Sequence, residues 1–368
     1  MAAPRFTVVY RVRGDAASIE AQAQAIAVEQ SVEMPVAAIA EPEILRDIVG
    51  RVEAIEDRGT GWFDVRVGLA TATTGLDAGQ FLNMVFGNTS LHEDVVLLDV
   101  EIPDDLASAF GGPRHGIGGL RQRVAASGRA LTCSALKPQG LPPARLAGLA
   151  AQFARGGIDF VKDDHGLADQ GYSPFAERVR ACAAAVAEAT AATGYPTRYV
   201  PSLSGDLDRM RRQVEVARSV GIDTVMVAPM IAGWATVQAM VRQYPDIAFF
   251  AHPTMGGAAR IVPELLIGKL FRLLGADAVI FPNHGGRFGY TPETCRCLAE
   301  RSRAPWEGIR PSVPVPAGGM TLERVPEMLD FYGPDAMLLI GGSLLAARER
   351  LTDETAAFAR AVAQHTYR

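Results

Sequence analysis

A lysine, two aspartates and a histidine stand in a row at Lys162-Asp163-Asp164-His165. The run directly follows Gly157-Ile158-Asp159-Phe160-Val161, which reads as a buried strand. Side chains alternate across a strand, so Lys162 and Asp164 are expected to face one opening together, with His165 just past the strand end. A lysine held there is partly desolvated, which lowers its pKa and frees the neutral amine. That amine can act as a base, or react with carbon dioxide to form a carbamate whose oxygens, beside Asp164, suit Mg2+. His165 complicates the picture. Mg2+ prefers oxygen ligands, so an imidazole either selects another divalent metal or stays out of the shell as an acid or base. The plain alternative is a solvated charge cluster, against which the apolar run in front of it counts.

More polar residues follow other short apolar runs. Lys137 follows one, Ser202, Ser204 and Asp206 another, His252 a third, and Asn283 and His284 a fourth, with Arg287 in the Gly-rich stretch beyond. Gly318-Gly319 and Gly341-Gly342 close the last two runs. Glycines there let backbone N–H groups approach an anion, and a following helix adds its positive end, which makes a phosphate cradle. Otherwise they simply end strands.

Something must bring these residues together. From about residue 128 a strand-like run followed by a helix pattern recurs eight times, with strands at 130–136, 158–162, 199–203, 224–228, 247–251, 278–282, 313–317 and 336–340. The runs are apolar throughout, as when both faces of a parallel sheet are covered. Helix punctuation lies between them: Pro142-Pro143, Asp206, Pro263 and Thr321 open segments, and Gly194, Gly221, Gly275 and Gly333 end them. Eight units predict a (β/α)8 barrel over residues 123–368, with the working residues where strands end. A doubly wound open sheet is the alternative. Residues 1–122 show strands near 6–12, 52–67 and 95–102 and helices near 16–30 and 79–86 without a regular beat, which predicts a small α+β domain.

The chain has 368 residues and a formal charge of −5, with no block of basic residues, so nucleic acid is not an expected partner. No apolar run reaches the roughly 18 residues that span a bilayer, and a membrane is not expected either. The first residues lead straight into a strand-like run without an apolar signal core, and four cysteines are too few for a disulfide framework. The expectation is a cytoplasmic protein with reduced thiols. Cys133, on the first barrel strand, reads as a small core residue rather than a catalytic thiol.

The stretch Gly156 to Asp164 resembles the metal-site motif of RuBisCO and its relatives. Leu136-Lys137-Pro138 is similar to the family's first-strand lysine motif, and Phe110 to Ile117 to the segment entering its barrel. Asn83-Met84-Val85-Phe86-Gly87 and Glu29-Gln30-Ser31 resemble segments that complete a neighbouring subunit's site. On these motifs the chain is identified as a member of the RuBisCO-like proteins. The resemblance implies a ferredoxin-like N-terminal domain, a carbamylated Lys162 and Asp164 as metal ligands, and Lys137 beside the reacting carbons. It also implies His252 as the strand-5 histidine, phosphate held by Gly318, Gly319, Gly341 and Gly342, and Asn83 and Glu29 reaching across a homodimer.

The departures shape the expected function. His165 stands where the family has a metal-binding glutamate, Gln139 where it has a second lysine, and Arg287, a substrate-binding candidate, where it has the mobile-loop lysine. Pro253, Ile280 and Ala317 replace an arginine, a histidine and a serine lining one of two phosphate sites, and none offers a side-chain donor. The expected substrate therefore carries one phosphate and an apolar far end, and carboxylation is not expected. What remains is equipment for enolisation, through Mg2+ or another divalent metal. The reading is an isomerase of 5-methylthioribulose 1-phosphate in methionine salvage, with Lys137 or the Lys162 carbamate taking the proton and Lys137 or His165 returning it. A 2,3-diketo-5-methylthiopentyl-1-phosphate enolase, a decarboxylase or hydrolase of a phosphorylated 3-oxo sugar acid, and a decayed binding paralogue are the alternatives.

Overall fold

The structure, a computed structural model, describes residues 3–367. Its N-terminal part is an antiparallel sheet of β1 (Arg5–Arg13), β2 (Arg51–Asp57), β3 (Trp62–Ala70) and β4 (Val95–Glu101), in the order β2-β3-β1-β4. β1 alternates strictly between buried and half-exposed residues, so Phe6, Val8, Tyr10 and Val12 line one face. Helices Ile19–Glu29 and Ala78–Phe86 contribute Ala23, Ile26, Phe81 and Val85 to the same core. The second helix starts where Asp77 caps it, its side chain accepting from Gln80 N at 2.8 Å.

The remaining strands are β5 (Leu131–Leu136), β6 (Phe160–Asp163), β7 (Arg198–Val200), β8 (Thr224–Val227), β9 (Ala248–Ala251), β10 (Ala278–Pro282), β11 (Val313–Ala317) and β12 (Met337–Leu339). They pair in parallel in the order β7-β6-β5-β12-β11-β10-β9-β8, and a bridge between Ser202 and Met226 joins the two ends. The expected barrel is therefore present, with eight strands. β7 stops earlier than its apolar run, because Pro201 has no N–H to give to a ladder. Inward residues such as Cys133, Phe160, Met226, Phe250, Ile280 and Leu339 fill the lumen as a core of their own. A larger apolar layer lies between the strands, the outer helices and the N-terminal sheet.

Helix Gly116–Arg123 sends Leu120 into the lumen cluster, which Val124 and Ala126 extend. It plugs the bottom of the barrel, so the expected boundary at 122/123 falls inside an element that belongs to the barrel. The segment expected to be one helix from Pro263 to Gly275 contains a wider turn at Leu266–Leu270. β4 docks on the loop after β9, where Leu97 N donates to Arg260 O at 2.9 Å and Val262 N to Leu97 O at 3.1 Å. No helix among the described residues is long and apolar enough to cross a membrane.

Candidate active site

β5 and β6 pair so that Ala135 stands opposite Lys162 and Leu136 opposite Asp163. This register puts Lys162 on the lumen side and Asp163 on the side of the outer helices. Gly157, at φ +77°, makes the turn that feeds β6, a conformation side chains rarely adopt. Lys162 is 3% exposed, and its Nζ donates to Asp163 O at 2.9 Å. Burial holds its pKa below the ordinary lysine value, against the pull of nearby Cys133 and Asp164. The neutral amine is the form that takes a proton or attacks carbon dioxide. Cys133 sits fully buried in the lumen, and burial pushes its thiol up to about 12, so it is no thiolate nucleophile.

Asp164 is 7% exposed and meets Lys137, whose Nζ donates to Asp164 Oδ1 at 2.7 Å. His165 Nδ1 lies 3.3 Å from the same oxygen. Burial alone would raise the Asp164 carboxyl, but hydrogen bonds from His165 and Lys137, and the charges of Lys137 and Lys162, pull it well below the usual carboxylate range. The carboxylate is thus ionised wherever the protein is folded near neutrality.

The His165 ring stacks on His252, with centroids 4.5 Å apart and planes 11° from parallel. Thr254 N donates to His252 Nδ1 at 3.2 Å, and the Thr254 hydroxyl lies 2.6 Å from that nitrogen. A backbone N–H can only donate, so Nδ1 accepts and the proton of the neutral ring sits on Nε2. Burial, then the charges of Lys162 and His165, hold His252 far below its ordinary pKa. An unfolded chain protonates this histidine near pH 6.5, so its contribution to stability falls as pH drops below about 6.5. Histidine 15N NMR is expected to show His252 as the Nε2–H tautomer with no titration from pH 8 down to 5. A cationic ring at pH 6 contradicts this assignment.

The glycine loops follow β10, β11 and β12, and β12 pairs with β5, the strand that leads into Lys137. A Cβ on Gly319 would lie 2.7 Å from Gly286 Cα, so the loops after β10 and β11 touch through backbone, and contact accounts for that glycine. Ser343 Oγ donates to Met320 O at 3.1 Å and ties the β12 loop alongside. Cβ atoms on Gly341 and Gly342 would meet nothing within 4 Å. No packing demand accounts for that pair, which is consistent with a backbone surface kept bare for an anion.

Other expected site residues stand apart. Arg287 is exposed, its guanidinium 4.9 Å from the centroid of the Phe288 ring, and it forms no ion pair among the described residues. Asn83 and Glu29 lie in the N-terminal domain, where Asn83 Nδ2 donates to Gln80 Oε1 at 3.4 Å and Glu29 Oε1 accepts from Asn88 at 2.8 Å. Between them, Gln30 is buried and ties the two helices through Asn83 O, Met84 O and Thr89. Asn283 turns away from the lumen, accepting from Tyr332 at 2.6 Å.

Sequence reasoning missed the support behind the site. Asp163 is fully buried and accepts from Arg178 Nε at 3.1 Å, Tyr199 OH at 2.6 Å and Ser202 N at 3.1 Å. Arg178, also fully buried, donates to Ala168 O and Ser173 O at 2.7 Å, so it pins the loop that carries His165. The signal was present: Phe175, Arg178, Val179 and Cys182 share one helix face, and the single charge among apolar residues needs a buried acid.

A cation would find two side-chain donors here, Asp164 and His165. Among the described residues no group of three His, Cys, Asp or Glu side chains is placed to hold a metal ion. The donor set reaches three only with a carbamate on Lys162, whose burial favours the neutral amine that forms one.

The family model for the ribulose bisphosphate carboxylase large chain, catalytic domain, matches residues 116–348. The chain belongs to this RuBisCO large-chain family. It is 62% identical to the 5-methylthioribulose-1-phosphate isomerase of Rhodospirillum rubrum over 98% of this chain and 96% of that one. It is 33% identical to the 2,3-diketo-5-methylthiopentyl-1-phosphate enolase of Geobacillus kaustophilus over 83% and 78%. The crystal structure of a RuBisCO-like protein from Rhodopseudomonas palustris superimposes with a TM-score of 0.92 over 99% of both chains, at 50% identity. As a RuBisCO-like protein, the chain shows its departures on the lumen wall. Ile280 is 3% exposed in the lumen core, and Ala317 packs against that core. An apolar wall there disfavours a charged group.

Proposed function

We propose that this RuBisCO-like protein isomerises 5-methylthioribulose 1-phosphate through an enolate. The observation that carries the reading is the Lys137–Asp164 pair at 2.7 Å beside the buried amine of Lys162, at the mouth of one barrel. The substrate phosphate rests on the bare backbone of Gly341 and Gly342 with Gly318 and Gly319 alongside. The methylthio end, soft and weakly polar, lies toward Ile280 and Ala317.

Lys162, as neutral amine or as carbamate, takes the proton next to the carbonyl. Lys137, held by Asp164, turns its Nζ donors toward the carbonyl oxygen as negative charge develops. The Nε2–H of His252 is a further donor to that oxygen. Lys137 or His165 then returns a proton at a different carbon. Lys162 carbamate, Asp164 and His165 would hold Mg2+ or another divalent metal, which when bound supplies further positive charge for the oxyanion.

Incubation with 5-methylthioribulose 1-phosphate in deuterated water, followed by proton NMR, tests this. Turnover with deuterium at one carbon of the sugar is expected. No exchange and no turnover sinks the reading, and release of carbon dioxide from a 3-oxo sugar acid phosphate favours the decarboxylase.

We further propose a homodimer with a shared site. Large apolar side chains are exposed on the N-terminal part at Leu45, Leu76 and Leu91, and around the barrel mouth at Ile231, Met255 and Phe288. A second copy, placed so that one set covers the other, would bring Asn83 and Glu29 over the partner's mouth. If so, mixing inactive Asn83→Ala and Lys162→Met proteins restores about a quarter of wild-type activity, because half the random dimers carry one intact site of two. No recovery on mixing, with exchange of subunits verified, contradicts a shared site.

A further inference from the structure

A second cleft of about 630 Å3 lies in the seam between the N-terminal sheet and the outer helices of the barrel. Arg5 and Asp99 line it from the sheet, Lys269 and Arg272 from the segment after β9, and Arg301 and Trp306 from the region after β10. None of these residues belongs to the barrel mouth.

The charges in the cleft do not balance. Asp99 Oδ1 accepts from Lys269 Nζ at 3.1 Å and from Val100 N at 2.8 Å. Those two donors use both lone pairs of the oxygen. Arg301 Nη1 lies 3.0 Å from the same atom, yet this nitrogen is buried and has no hydrogen-bond partner among the described residues. Its N–H groups point elsewhere. Arg272, 1% exposed, gives its donors to the carbonyls of Arg301, Ala304, Ile309 and Arg310 and forms no ion pair among the described residues. Glu101, also on the cleft wall, is taken by Arg66 at 2.6 Å. Four cations, Arg5, Lys269, Arg272 and Arg301, thus line a cavity with Asp99, already held by Lys269, as the carboxylate among them, and Arg301 Nη1 is left without a hydrogen-bond acceptor among the described residues. Buried donors are rarely left so.

We propose that this cleft binds a compact multivalent oxyanion, a phosphate monoester or a polycarboxylate, at a site separate from the barrel mouth. The anion supplies the acceptor Arg301 Nη1 lacks and the charge Arg272 lacks. Lys269 reaches it from Asp99 without leaving its backbone acceptor, Val100 O, at 2.6 Å. A guanidinium and an ammonium converging on one oxyanion make charge-assisted hydrogen bonds, the strong kind.

The test is the thermal midpoint of the full chain titrated with inorganic phosphate and, separately, with citrate, for wild type and Arg301→Gln. Phosphate at the barrel mouth raises both proteins alike, so the difference between them reports the cleft. Arg301→Gln is expected to weaken anion binding at the cleft by about tenfold or more, the effect of one charge-assisted bond. A difference with phosphate alone identifies a phosphate site; a difference with citrate identifies a polycarboxylate site. Identical titrations for wild type and variant with both anions overturn the proposal. Lys269→Met provides the same comparison if Arg301→Gln fails to fold.

Discussion

Replacing Lys162 by methionine is expected to lower turnover by about a thousandfold or more, with no loss of thermal stability. On the proposed function two roles disappear at once: the base, and the carbamate that would complete a cation site. The stability half of the expectation follows from the surroundings. Lys162 is 3% exposed, and burial opposes its charged form, so the folded chain bears the desolvation of that amine. Methionine matches its length, stays apolar and packs against Cys133 and the lumen core. Single-turnover proton exchange in deuterated water and the thermal midpoint are read on the same preparations. Wild-type exchange in Lys162→Met removes Lys162 from the chemistry. A large fall in midpoint shows instead that the amine's bond to Asp163 O supports the fold.

Arg178→Met is expected to destabilise the protein by about 3–5 kcal/mol, the cost of leaving a buried charge without its partner. Asp163 has no solvent exposure, and Tyr199 and Ser202 alone would face its carboxylate. For a protein of 368 residues the midpoint falls by about 4–6 °C. The same change frees Ala168 O and Ser173 O, so the loop carrying His165 loses its anchor and turnover falls as well. The double variant Asp163→Asn/Arg178→Met is expected to recover part of the stability, because the orphaned charge is gone. A double variant no more stable than Arg178→Met shows that the loss comes from the loop anchors and not from the charge.

Much of the architecture was legible in the chain because it is written at short range. A strand-plus-helix unit is local, so eight apolar runs with glycine and proline between them predicted the barrel. The alternation of a strand placed Lys162 and Asp164 on one side of it. The ends of β7 and the start of the barrel were less legible: Pro201 shortens one, and only packing shows that the helix at 116–123 sends Leu120 into the lumen. The site was legible as a set of residue types, and less so as a set of partners. Nothing in the spacing of Lys137 and Asp164 says that they pair, nor that His165 lies flat on His252.

The sequence by itself determined the barrel, the presence of an amine and a carboxylate at its rim, and the glycines beside them, because those depend on periodicity and residue chemistry within a few positions. The tertiary structure decided which groups share a proton or a charge: Lys137 with Asp164, Asp163 with Arg178, and Arg301 beside an Asp99 already held by Lys269. Those pairings depend on which side chains the fold brings within about 3 Å, a distance set by closure of the sheet and docking of the helices. Burial, which sets the protonation of Lys162 and His252, exists only once the chain has folded around them.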